Sequence, residues 1–179
     1  GEEQARSFFA SLHSSRPDED LNGLLDKFGR DTELVFHPFF LTRLAALWMK
    51  GERFEKAEGA SGNLARTKFV IDTYVRREAH EKWIDRDGIP LLDPEGHTAL
   101  LGGVAEEMWR SGAFRLDDEE LRLAAEMSLA GRGRPPAQLD AVLERAPMHA
   151  AFNESGGKYS FIHEQFLYHF LGMRISELL

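Results

Sequence analysis

The sequence predicts a mainly α-helical chain, with an N-terminal helical bundle followed by a second part that carries a short β-hairpin. Three observations lead there. Apolar residues recur at three- and four-residue spacings through most of the 179 positions. The helix-breaking stretch DRDGIPLLDPEG divides the chain near its middle. Finally, the stretch Lys158–Met173 changes period partway. Tyr159, Phe161 and Ile162 around Ser160 read as a strand, whereas Phe166, Leu167, Phe170 and Leu171 line one face of a helix. His163 stands where the period changes, next to a helix N-terminus, where free N–H groups gather and anions are favoured.

The elements follow in order. Ala5, Phe8, Phe9 and Leu12 give a first helical face. Pro17, with Asp18, Glu19 and Asp20 behind it, suits the start of a second helix. Its buried stripe is Leu21, Leu24, Leu25 and Phe28, and Gly29 is a stop. Pro38 opens a third helix with Phe40, Leu41, Leu44, Ala45 and Trp48 inward, ended by Gly51. The polar stretch Glu52–Asn63 reads as a surface loop. A long helix is expected from Arg66 to about Asp85, burying Phe69, Val70, Tyr74, Ala79, Trp83 and Ile84. The glycines and prolines of the next stretch set a boundary there, giving a helical domain over 1–88 and a second domain over 89–179.

The second part has a different rhythm. A helix is expected over His97–Arg110, then a three-residue strand, Phe114–Leu116. Asp117 caps another helix, and Glu120 three residues on completes an acidic capping box. After a turn at Gly131–Pro136, Pro136 starts a further helix, which Pro147 stops. Strands over His149–Asn153 and Lys158–Ile162 flank a Gly156-Gly157 turn, a hairpin signal. Helix, strand, helix, helix, strand, turn, strand is the order of a winged helix, a helix-turn-helix variant with a β-hairpin wing. Trp48, Trp83 and Trp109 are expected in the core, and the pairs Phe8/Phe9 and Phe39/Phe40 in the core or at a domain interface.

Composition narrows the function. Hydrophobic residues make up 42%, enough for a sizeable core. The net charge of −8 argues against broad binding to nucleic acid or to an anionic membrane. There is no cysteine, which excludes disulfides and thiolate metal sites and fits a reducing, cytoplasmic compartment. No apolar run is long enough to span a bilayer. The acidic start GEEQARSFF lacks the layout of a signal peptide and begins abruptly in a helical pattern, so a fragment of a longer protein is expected.

Complete catalytic motifs are missing. Ser155-Gly156-Gly157-Lys158-Tyr159 brings Gly next to Lys, but Tyr159 stands where a Walker motif needs Ser or Thr, and the first glycine is absent. No G-x-S-x-G elbow occurs. His80-Glu81 and His163-Glu164 each lack the second histidine of a zincin, and His163 and His169 fall on different helix faces, so no metal site is expected. Sequence-specific DNA binding needs Arg, Lys, Asn or Gln on the reading helix. The helix from Pro136 instead carries Asp140 and Glu144, with Arg145. Arg132, Arg134 and Lys158 make a poor basic footprint among so many acids.

Two stretches carry a family likeness. Pro38-Phe39-Phe40-Leu41 matches an apolar helix start of the form P-(L/F)-x-L, and Tyr159-Ser160-Phe161-Ile162-His163 with Phe166 matches Y-S-F-I-H-x-x-F. At these positions the chain resembles NACHT-type NTPases of the STAND class, which include the Nod-like receptors. It departs from their pattern at Tyr168 and His169, near where an acidic residue is expected. The resemblance covers nearly the whole chain in element order and about 25 residues in sharp motifs. It implies a helical domain and a winged-helix domain that follow a Walker-type nucleotide-binding domain. It further implies that Pro38 packs on the adenine and that His163 contacts the β-phosphate of bound ADP, holding a closed state that exchange for ATP releases. The implied partners are the upstream nucleotide-binding domain and, on activation, further copies of the chain. The Walker lysine and magnesium ligands would lie upstream, so no hydrolysis by this chain itself is expected.

Plainer readings stand beside this one. Pro38 is a common helix-start residue, and His163 is also a junction histidine that caps a helix without a ligand. Pro147-Met148-His149 looks like the Met-His-Asp signature of plant relatives but precedes the wing, so no role is assigned to it. The alternatives are a winged-helix transcription regulator and a ligand-free helical interaction domain.

Overall fold

A computed structural model describes residues 2–11, 16–28, 38–49, 63–130 and 136–179. These are mainly helical, with one small three-stranded antiparallel sheet. They fall into two compact units, Gly1–Tyr74 and Val75–Leu179. The expected stops at Gly29 and Gly51, the loop over 52–62 and the turn over 131–135 lie outside the described residues, as do Leu12 and the side chains of Phe28 and Phe39.

The first unit is built from α1 (Glu2–Ser11), α2 (Pro17–Phe28), α3 (Pro38–Met49) and most of α4 (Asn63–Arg77). Both expected proline starts are present, because the missing N–H of a proline is no loss in a first helical turn. Helices α1 and α2 pack through Ala5, Phe9, Leu21, Leu24 and Leu25, all buried. Arg6 and Asp18 pair across them at 2.6 Å. Helix α3 buries Phe40, Leu41, Leu44 and Ala45, and its Trp48 donates its indole N–H to Asp20 of α2 at 2.9 Å. Val70, Ile71 and Tyr74 are the buried face of α4.

The second unit opens on a departure from the expected helix. Helix α4 ends at Arg77, and Glu78–Lys82 forms a π-helical turn, closed by the Trp83 N–H on the Glu78 carbonyl at 2.9 Å. The wider turn puts Glu78 and Ala79 in the interior and carries Trp83 onto the aromatic cluster of the second unit. A short strap follows. The Asp85 carboxylate accepts from the Asp87 and Ile89 amides at 2.8 Å each, and the Leu91 amide donates to the Trp83 carbonyl at 2.7 Å. Gln138 donates to the Leu91 carbonyl, and Arg145 to that of Ile84. The expected boundary at residues 88–89 thus falls inside the second unit, which starts at Val75.

Helix α5 (Pro94–Ser111) begins at Asp93, whose carboxylate accepts the Gly96 amide at 2.7 Å, with Pro94 at the first position. Leu100, Leu101, Val104, Ala105 and Met108 are its buried stripe. Trp109 is 55% exposed, against expectation. It stands one position past Met108 in the last turn, rotated off the stripe, and its ring meets Phe114 edge-on at 6.2 Å.

Strand β1 (Leu116–Asp117) leads into α6 (Asp118–Leu129). The capping box is present with both bonds, Glu120 N–H to Asp117 at 2.9 Å and Asp117 N–H to Glu120 at 2.8 Å. Helix α7 (Pro136–Arg145) runs into a 3₁₀ turn, Ala146–Met148, at Pro147. Strands β2 (Phe152–Ser155) and β3 (Lys158–Phe161) form the hairpin. Gly156 and Gly157 both have positive φ (62° and 73°), as a two-residue turn matched to strand twist requires. The sheet order is β1-β3-β2, with Leu116 opposite Tyr159 and Phe152 opposite Phe161. Helix α8 (Glu164–Leu178) packs Phe166 and Phe170 into the core and lies against α5.

Helices α5 and α6 approach closely at one point. A Cβ added to Gly103 would clash with the Ser128 Cβ. Alanine is the better helix former, by about 1 kcal/mol. Gly103→Ala is nonetheless expected to destabilise the second unit by about 1–3 kcal/mol through overpacking, a loss that thermal unfolding would register.

Candidate functional site

His163 lies where the sequence places it, between β3 and α8. Its backbone is still extended (φ −153°, ψ 140°), and it is the N-cap of α8. The Ile162 amide still donates across to the Ala151 carbonyl at 2.8 Å, after which the chain turns. The ring accepts the Gln165 amide on Nδ1 at 3.1 Å, and the His163 carbonyl accepts the Phe166 amide at 3.0 Å. A backbone N–H can only donate, so Nδ1 carries a lone pair and the neutral ring bears its proton on Nε2. The cap thereby fixes the tautomer. The ring is half-buried, at the positive end of a 15-residue helix. Glu164, exposed in the first turn, places one negative charge at that end.

Pro38 lies in the first unit, at the exposed start of α3, where its carbonyl accepts the Thr42 hydroxyl at 2.7 Å. The two sequence-predicted site residues therefore belong to different units. His169 is buried, its ring edge-on to Phe170 at 5.0 Å. Among the described residues no group of three or more His, Asp or Glu is arranged to hold a metal ion, and no helix is long and apolar enough to cross a membrane.

Features that the sequence did not signal surround this junction. A cleft of about 350 Å³ opens beside α8, lined by Met108, Phe114, Arg115, Ser160, Phe161, Glu164, Leu167 and Tyr168. Phe114 was expected in a strand. Its φ of 52° puts it in the left-handed region, uncommon for a bulky residue, and leaves the ring 44% exposed. The hairpin itself is flanked by carboxylates. The Tyr159 hydroxyl is pushed above its ordinary value, first by burial and then by Asp118 and Glu154. In α7, Asp140 and Glu144 are exposed, whereas Arg145 is turned to the carbonyls of Lys82 and Ile84.

Deeper in the second unit lies a buried pair that neither periodicity nor motif revealed. His97 Nδ1 and His149 Nε2 are 3.1 Å apart, and both side chains are buried. Trp83 meets both rings edge-on, at 4.9 and 5.0 Å. Burial first, then the nearness of His97 and of the Lys82 charge, holds His149 well below the ordinary histidine range.

Comparison of the chain with protein-family models, with curated proteins and with solved structures gave no match.

Proposed function

We propose that this chain is the regulatory part of a nucleotide-dependent switch of the NACHT/STAND type: a helical domain and a winged-helix domain that contact ADP bound by an upstream nucleotide-binding domain. The observation that carries the reading is the state of His163. Its ring caps α8 through Nδ1 at the positive end of the helix, where an anionic group is favoured, and an imidazole N–H is a donor that suits a phosphate oxygen. The position within Tyr159-Ser160-Phe161-Ile162-His163 and the order of strands and helices in the second unit support the same reading. Glu164 partly offsets the positive helix end, so the imidazole donor, not the helix dipole alone, carries the preference for phosphate. Pro38 takes the adenine side of the nucleotide. A ligand held more tightly in one arrangement of the domains than in another shifts the balance between them, and ADP latches the closed state in this way. Partners on this reading are the upstream domain and, once the latch opens, other copies of the chain. The acidic face of α7 and the carboxylates around the wing weigh against the DNA-binding alternative.

The test separates latch from cap. In a chain that includes the upstream domain, His163→Ser keeps a capping oxygen but loses the imidazole N–H. ADP affinity is expected to fall about 10- to 100-fold, the loss of one hydrogen bond to a charged group, with thermal stability little changed. Unchanged ADP affinity in calorimetric titration would remove His163 from the latch.

A further inference from the structure

The buried histidine pair is wired in one direction. The Ala151 amide donates to His149 Nδ1 at 3.1 Å, so the His149 proton must sit on Nε2. That proton is donated to His97 Nδ1, which must therefore carry a lone pair. Both rings are neutral and both are the Nε2–H tautomer. No basic nitrogen in this chain of bonds is left to take a proton harmlessly. A proton on His97 Nδ1 faces the His149 N–H, and a proton on His149 Nδ1 faces the Ala151 N–H. If the His149 proton moved to Nδ1 to make room, it would again meet the Ala151 amide. Each singly protonated state breaks one of the two bonds and places a charge in a buried site.

The charged side chains described next to the pair include two cations. Lys82, on the π-helical turn, adds a positive charge that opposes protonation of His149. Glu78 of the same turn is already paired with Lys82 at 2.8 Å. Arg145, from α7, brings a further cation to the Lys82 and Ile84 carbonyls. Trp83 and Phe152 complete the wall with aromatic rings. Trp83 is also the first residue of the strap Trp83–Leu92, and its backbone ends the π-helical turn and pairs with Leu91.

We propose that the His97–His149 pair is an acid-sensitive latch, which seats Trp83 and its strap on the second unit at neutral pH and lets them go when either ring takes up a proton. The released strap is free to exchange with solvent, whereas the helices around it stay folded. An unfolded histidine takes up its proton near pH 6.5. Below that value the open state binds more protons than the closed one, so closing is favoured as pH rises and lost as it falls.

The test uses the full 179-residue chain. Imidazole nitrogen shifts measured by NMR are expected to show His97 and His149 as neutral Nε2–H tautomers at pH 6.5. Hydrogen exchange across Trp83–Leu92, corrected for its intrinsic pH dependence, is expected to rise up to about sixteen-fold from pH 6.5 to 5.0, the effect of one proton on a histidine half-protonated at pH 6.5 once released. Amides in α6 are expected to stay protected. A double variant, His97→Met with His149→Phe, is expected to lose this acid response. If that variant does not fold, the wild-type spectra and exchange still decide. The proposal is overturned if the strap stays equally protected at pH 5.0. It is also overturned if either ring titrates normally with the strap closed, or if α6 opens in step with the strap.

Discussion

Replacing Phe166 by alanine is expected to cost the second unit about 3–5 kcal/mol, the largest single effect in this account. The ring is fully buried in the first turns of α8, 6.2 Å from Phe170, which in turn stacks on Phe161 of β3 at 6.2 Å. These three rings join helix to sheet on either side of His163. Truncation leaves a cavity that a helix already docked against α5 cannot close without moving the His163 cap. Thermal and urea unfolding would measure the cost. Phe166→Leu keeps most of the volume and is expected to recover more than half of it. A Phe166→Ala chain as stable as wild type would mean that α8 is not held as described.

The second large effect concerns Lys82 and Glu78. Glu78 is 1% exposed on its side chain, Lys82 41%, and they pair at 2.8 Å. The two deletions are therefore unequal. Lys82→Met leaves a carboxylate buried without its cation and is expected to cost about 3 kcal/mol. Glu78→Gln leaves a lysine that already reaches water, together with a neutral amide, and is expected to cost about 1 kcal/mol. Urea unfolding of the two variants side by side gives the comparison. Equal losses would contradict the asymmetry. Lys82→Met also removes a charge that opposes protonation of His149, so the acid opening of the strap is expected to begin at higher pH in that variant.

What could be read from the sequence was local. Pro17, Pro38 and Pro136 mark helix starts because a proline loses nothing there. Asp117 with Glu120 signals a capping box, and Gly156-Gly157 signals a tight hairpin; both rest on chemistry within four residues. The position of His163 was legible for the same reason, since the change of period around it is a local pattern. Its tautomer was not, because that depends on which ring nitrogen meets the Gln165 amide. The π-helical turn escaped notice since its cause is tertiary: Trp83 has its ring partners on α5 and next to the hairpin. The histidine pair joins positions 52 apart, beyond any periodicity. Trp109 and Phe114 were misjudged because apolar character does not say where a helix stops being covered.

The proposed contact between His163 and a nucleotide phosphate is open to direct measurement. The most direct measurement purifies the chain joined to the proposed nucleotide-binding domain, extracts it with acid, and quantifies what is released. On that proposal stoichiometric ADP is expected from the wild type and a marked loss from His163→Ser, with both proteins folded. A wild-type protein that yields no nucleotide would contradict it, and equal ADP from both would leave the histidine as a helix cap alone.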